Sequence, residues 1–233
     1  MICKNCDEQL IADAHFCQCC GQSVKMFSRP CLEMARELLA ETLDWDGRMA
    51  RSVGLLLTRP GFLSQEYIQG KRVTYTSPVR MYLVISLLFF LVLPMILPPP
   101  ANVSPDHKQL SVDLYSKGMF VMLPVFALLL KLFYRRVFYW DHLVFTVHLF
   151  SVSYIGFAVL LSIETLADRY FFVMVLQVFV LLYMVGYVLM ALRRVYAESW
   201  PATVLKSIGL LFLFLPALAI LIEVASHIGG EAG

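Results

Sequence analysis

Five segments of this 233-residue chain are long and apolar enough to dictate their own surroundings: VRMYLVISLLFFLVLPMILP, GMFVMLPVFALLLKLFY, HLVFTVHLFSVSYIGFAVLLSI, YFFVMVLQVFVLLYMVGYVLMAL and TVLKSIGLLFLFLPALAILIEVA. A helix that crosses the hydrocarbon layer needs about 20 apolar residues, or about 17 at the short end. Hydrophobic residues make up 59% of the chain and charged ones 15%, whereas about a quarter of an average soluble domain is charged. The mean hydropathy of +0.71 agrees. The expected fold is therefore an all-α membrane protein of about five transmembrane helices. Pro94, Pro124 and Pro216 fall inside these segments, where neighbouring helices can re-satisfy the freed carbonyls and each proline can mark a kink.

The few charges give the orientation. Lys71, Arg72 and Arg80 flank the start of the first segment, Lys131, Arg135 and Arg136 cluster at the end of the second, and Arg193, Arg194 and Lys206 surround the connection between the fourth and fifth. The alternate connections carry little positive charge, and the tail after the last segment has no Lys or Arg. By the positive-inside rule the N-terminus is expected in the cytosol and the C-terminus outside. The start, MICKNCDEQL, lacks the apolar run of a cleaved signal peptide, which also leaves the first residues in the cytosol. A net charge of +2 with no basic run points away from nucleic acid. Asn102-Val103-Ser104 matches a glycosylation sequon on the outer side and carries little weight, since such short matches are common by chance.

In that compartment thiols stay reduced, so clustered cysteines read as a metal site rather than a disulfide framework. Cys3 and Cys6 form one Cys-x-x-Cys pair, and Cys17 and Cys20 a second that runs into Gly21. Two such pairs close a tetrahedron around Zn²⁺ in a minimal ribbon of two knuckles. Cys19 offers an alternative pairing with Cys17, but Cys20 keeps the two-residue spacing and the glycine. His15 is a substitute ligand only in second place to an exposed loop histidine, and Cys31 lies beyond the ribbon as an unliganded thiol. So short a module cannot bury enough apolar surface to fold alone, so the expected zinc is structural: it supplies folding free energy, and four thiolates leave no position open for catalysis.

Three regions follow: a ribbon over 1–25, amphipathic cytosolic or interfacial helices over 26–77, and a helical transmembrane domain over 78–228. Leu32, Ala35, Leu39 and Leu43 recur at helical spacing after Pro30. A second helix begins near Gly47, with Met49, Val53, Leu56 and Leu57 on one side and Arg48 and Arg51 on the other, and stops before Pro60-Gly61. FLSQEYIQG adds one turn or two, ended by Gly70. Such helices lie in the membrane interface or pack on the ends of the spans.

The familiar phosphate-binding, zinc-protease and serine-hydrolase motifs are missing. The densest polar stretch is YWDHLVFTVHLFSVSY. Asp141 and His142 enter the third span from the cytosolic side, with His148 about 9 Å further along the helix. With Arg72 they make a candidate polar pocket at one membrane face, in which Arg72 pairs with Asp141 and His148 forms the deeper wall. The competing view is a structural clasp in which each histidine is hydrogen-bonded to a neighbouring helix.

The ribbon ending FCQCCGQ, the stretch TRPGFLSQEYIQGKRVTYTSPVRMYL, the segment DHLVFTVHLFS and the later ALRRVYAESWPATVLK resemble a bacterial family of multi-pass inner-membrane proteins known only as a domain of unknown function. The resemblance spans nearly the whole chain. It implies a zinc-ribbon head on a protein of the bacterial inner membrane and brings no activity, substrate or catalytic residue; Cys19 departs from its pattern. Three functions remain open. First is a non-enzymatic docking or membrane-organising protein that meets membrane lipids, a cytosolic protein partner through the ribbon, and a second copy of itself as a homo-oligomer. Second is a small-solute or lipid transporter or channel. Third is a membrane enzyme using Asp141, His142 and His148.

Overall fold

A computed structural model describes residues 1–11, 14–24, 47–96, 105–167 and 171–231. The helix expected after Pro30, Cys31 and the sequon all lie outside the described residues. Within them the chain is helical apart from the cysteine ribbon and short connections: α1 Gly47–Thr58, α2 Phe62–Gln69, α3 Pro78–Ile96, α4 Pro105–Phe133, α5 Tyr139–Ala167, α6 Phe171–Tyr196 and α7 Trp200–Glu231. Five of these are long and apolar enough to cross a membrane, with spans Pro78–Ile96, Ser116–Phe133, Tyr139–Glu164, Phe172–Tyr196 and Trp200–Val224. The apolar segments thus become helices in the order the sequence predicts. One boundary differs: α4 begins at Pro105, well before the apolar stretch. Proline suits a first helical turn, where its missing N–H has no partner to lose.

Helix α5 is the hub. It packs against α3, α4 and α6, and half of its apolar window is buried, against 6% for α6 and 11% for α7. The last two helices therefore leave most of their apolar surface uncovered by the chain, including Phe172, Phe179, Leu182, Leu205 and Phe212, as lipid-facing helices do. Helix α7 leans on α4. Pro94, Pro124 and Pro216 sit inside α3, α4 and α7, and none of them ends its helix.

The two short helices form a hairpin docked on the bundle. Met49, Ser52 and Leu56 of α1 and Leu63 and Ser64 of α2 are buried, and α2 packs on both α5 and α6. The α1 side opposite them carries exposed Arg48 and Arg51, so the amphipathic stripe faces protein. Gly61 makes the turn possible. It has φ 72°, and a Cβ there would lie 2.8 Å from the Ala191 carbonyl oxygen of α6; only glycine combines this backbone with so close an approach. The last carbonyls of α1, which have no partner inside the helix, are capped from α6. Tyr187 Oη donates to the Leu56 carbonyl at 2.7 Å and Tyr183 Oη to that of Leu57, and just past the helix Arg194 donates to the Pro60 carbonyl at 2.8 Å.

Candidate metal centre

The ribbon is the same knuckle built twice, offset by 14 residues. Asp7 N donates to the Cys3 carbonyl and Cys3 N to that of Glu8; Gly21 N donates to Cys17 and Cys17 N to Gln22, all at 2.8–3.0 Å. Isolated antiparallel bridges close each unit, Ile2 with Gln9 and Phe16 with Ser23. The residue after each second cysteine takes a left-handed backbone, Asp7 at φ 59° and Gly21 at φ 72°, a conformation in which glycine costs nothing and Asp costs little. Gln18 donates to the Gln9 carbonyl at 2.7 Å and ties the units together.

This folding brings the sulfurs of Cys3, Cys6, Cys17 and Cys20 within 4.8 Å of one another. Two of the separations, Cys3 to Cys20 and Cys6 to Cys17, are 3.6 Å. Four thiolates about 2.3 Å from a tetrahedral Zn²⁺ sit about 3.8 Å apart, so the donor set and its spacing fit such an ion. Cys19 and His15 are exposed and outside the group. The N–H groups of Cys20 and Cys19 aim at the Cys17 sulfur and hold its pKa down to about 7. Cys6 is driven the other way: the Glu8 N–H favours its thiolate, but desolvation and the sulfurs of Cys17, Cys20 and Cys3 oppose ionisation. A cation at the centre removes that conflict, since a coordinating thiol is deprotonated outright.

The ribbon rests on the link between α2 and α3. Gln22 donates to the Gly70 carbonyl at 2.9 Å and accepts from Arg72 N at 3.3 Å. Asn5 Oδ1, inside the first knuckle, accepts from Thr74 N at 3.3 Å and from Thr74 Oγ1 at 2.9 Å. The Lys4 stem lies against Gly70, where a Cβ would meet it at 3.0 Å. Beside this contact, Lys71 pairs with Glu66 at 2.8 Å, which raises the lysine's pKa.

The four residues of the candidate polar pocket lie in one region but find different partners. The Arg72 guanidinium stands over the Tyr67 ring at 5.2 Å and close enough to Asp141 for their charges to attract. Burial pushes the Tyr67 pKa up while Arg72 pulls it down. His148 is buried and hydrogen-bonded through Nδ1 to Ser64 Oγ of α2 at 2.9 Å. His142 is fully buried and hydrogen-bonded through Nδ1 to Tyr196 Oη at 2.7 Å. So α2 occupies the place where a pocket wall at His148 would open, and the two histidines serve different helix junctions.

His142 belongs to a polar seam that stitches the helix ends. Tyr196 stacks on Tyr134 with ring centres 3.8 Å apart. Lys206 of α7 stands 4.3 Å above the Tyr134 ring and pairs with Glu198. Lys131 donates to the carbonyls of Arg135 and Val137 at 2.7 Å and so ties the turn after α4 back to the helix. Sequence reasoning passed over Asn5, Gln22, Ser64, Tyr134 and Tyr196 as site residues. Asn5 and Gln22 did carry a signal, since one lies between Cys3 and Cys6 and the other directly after Gly21. Ser64 carried none, because a serine on a short helix looks the same whether it meets water or a histidine.

Comparison with known proteins adds one match. Residues 46–90 match a family described as "Protein of unknown function (DUF3667)". The matched stretch is the α1–α2 hairpin, the link that carries Arg72, and the first two-thirds of α3. No curated protein and no solved structure matches the chain.

Proposed function

We propose that this protein is a non-enzymatic, multi-pass protein of the bacterial inner membrane whose cytosolic head is a structural zinc ribbon that docks a cytosolic partner. The observation that carries this reading is the closed donor set: four cysteine sulfurs within 4.8 Å of one another. A tetrahedral ion held by four thiolates has no position left for water or substrate. The Lys and Arg bias of the span ends supports a cytosolic N-terminus and an outer C-terminus. Met1, Ile2, Ile11 and Phe16 stand exposed on the small head, an apolar surface suited to a protein partner.

The histidines support a structural role, because each is buried against a protein hydroxyl on another helix. The transporter reading has less support. The groove of about 480 Å³ among α1, α3 and α5 is lined mainly by Val84, Leu88, Phe89, Ile155 and Val159, and its Tyr154 is already hydrogen-bonded to Tyr82.

Metal analysis of the purified full-length protein under reducing conditions tests the proposal. About one equivalent of zinc is expected, lost in the Cys6→Ser, Cys17→Ser double variant. No bound metal, or retention by that variant, refutes it. For the docking role, Ile11→Ser with Phe16→Ser should keep the zinc yet abolish cross-linking to protein in cells from a photoreactive residue at the exposed position His15. Unchanged cross-linking contradicts a partner on this surface.

A further inference from the structure

The hydrogen bonds that seat the ribbon follow a pattern. They read the main chain at alternate residues, the Gly70 carbonyl, Arg72 N and Thr74 N. The next N–H in that series, of Thr76, is taken by Ser52 Oγ of α1 at 3.0 Å. The link between α2 and α3 is thus held at two independent points, by the ribbon over 70–74 and by α1 at Thr76.

Both ribbon side chains in this contact are placed by the knuckles. Asn5 lies between Cys3 and Cys6, and Gln22 is fixed by the bond from Cys17 N to its own carbonyl at 2.8 Å. A module of this size keeps such positions only while its centre is closed, because its folding free energy is the free energy of metal binding. The link in turn carries Arg72 to the Tyr67 ring and to the charge of Asp141, and it leads directly into α3 at Pro78.

We infer that the ribbon is a metal-set clamp on residues 70–74: with the metal bound, Asn5 and Gln22 hold the link in place, and loss of the metal releases the link, with Arg72, while Thr76 stays on α1. The inference rests on the metal reading above and adds an output to it. The centre reports its occupancy to the segment that enters the membrane.

Hydrogen exchange on the full-length protein in lipid nanodiscs tests this, with zinc as the only added ligand. Stripping the metal with a chelator under reducing conditions should speed exchange of the Arg72 and Thr74 amides by about tenfold or more, and leave Thr76 within about twofold. Zinc alone should restore protection. A second variant separates clamp from metal: Asn5→Ala with Gln22→Ala should retain one equivalent of zinc and still exchange fast at Arg72 and Thr74. Metal that binds and leaves with no change at these two amides overturns the clamp and spares the metal assignment. So does full protection in the double variant. Loss of protection at Thr76 together with the others also overturns it, since the hairpin would then be unfolding as a whole. A protein that holds no metal overturns both proposals.

Discussion

At the scale of single residues, the strongest constraints lie where the α1–α2 hairpin meets the bundle. Gly61→Ala places a methyl group 2.8 Å from a backbone oxygen of α6 at φ 72°, and backbone cannot yield as a flexible side chain can. The substitution should cost about 1–3 kcal/mol and lower the thermal midpoint of the protein in nanodiscs. An unchanged midpoint would mean that the turn does not seat on Ala191. Ser64→Ala removes the only hydroxyl described against His148 Nδ1 and leaves a buried polar atom behind, at a cost of about 1–3 kcal/mol. If His148 instead served a solvent-filled pocket, Ser64→Ala would leave stability unmoved and the histidine reactive toward diethylpyrocarbonate.

At the scale of elements, α1 is held by what α6 offers its C-terminal carbonyls. The double variant Tyr183→Phe, Tyr187→Phe keeps the aromatic packing and deletes the bonds to Leu57 and Leu56. The end of α1 should then open more often, and the Arg59 amide, which donates to the Leu55 carbonyl at 2.9 Å, should exchange with deuterium several-fold faster than in the unchanged protein. Equal exchange rates would show that packing alone fixes the hairpin. The same elements explain what sequence could and could not reveal. Hydropathy exposes a span because lipid demands a long apolar run, so all five were legible. An amphipathic stripe such as that of α1 says only that one side is covered; whether lipid or protein covers it depends on Gly61, Tyr187 and Ser64, residues whose partners lie more than 80 positions away. The early start of α4 was hidden for a related reason, since its first turns are polar and only Pro105 marks their beginning.

For the whole molecule, the grouping of the four cysteines was legible because Cys-x-x-Cys spacing is a local property, whereas the seat of the ribbon on 70–74 was not, because it depends on the fold of α2 and α3. The ribbon, the link, the hairpin and the seam from His142 through Tyr196 and Tyr134 to Lys206 lie at one end of the bundle, which the proposed topology makes the cytosolic end. That arrangement requires the span ends at 133, 139, 196 and 200 to share one side. Reporter fusions after Gly70, Lys108, Tyr139, Asp168, Ala197 and Gly233 should alternate sides in that order, beginning in the cytosol. A cytosolic Gly233 would mean that one of the five apolar helices does not cross, with the 18-residue Ser116–Phe133 span the first to re-examine.

The most direct test of the central claim is X-ray absorption at the zinc edge of the full-length protein, purified without added metal. A closed site made of Cys3, Cys6, Cys17 and Cys20 predicts four sulfur neighbours at about 2.3 Å, unchanged in Cys19→Ser and lost in the Cys6→Ser, Cys17→Ser variant. Nitrogen or oxygen among the nearest neighbours, or a spectrum altered by Cys19→Ser, would contradict it.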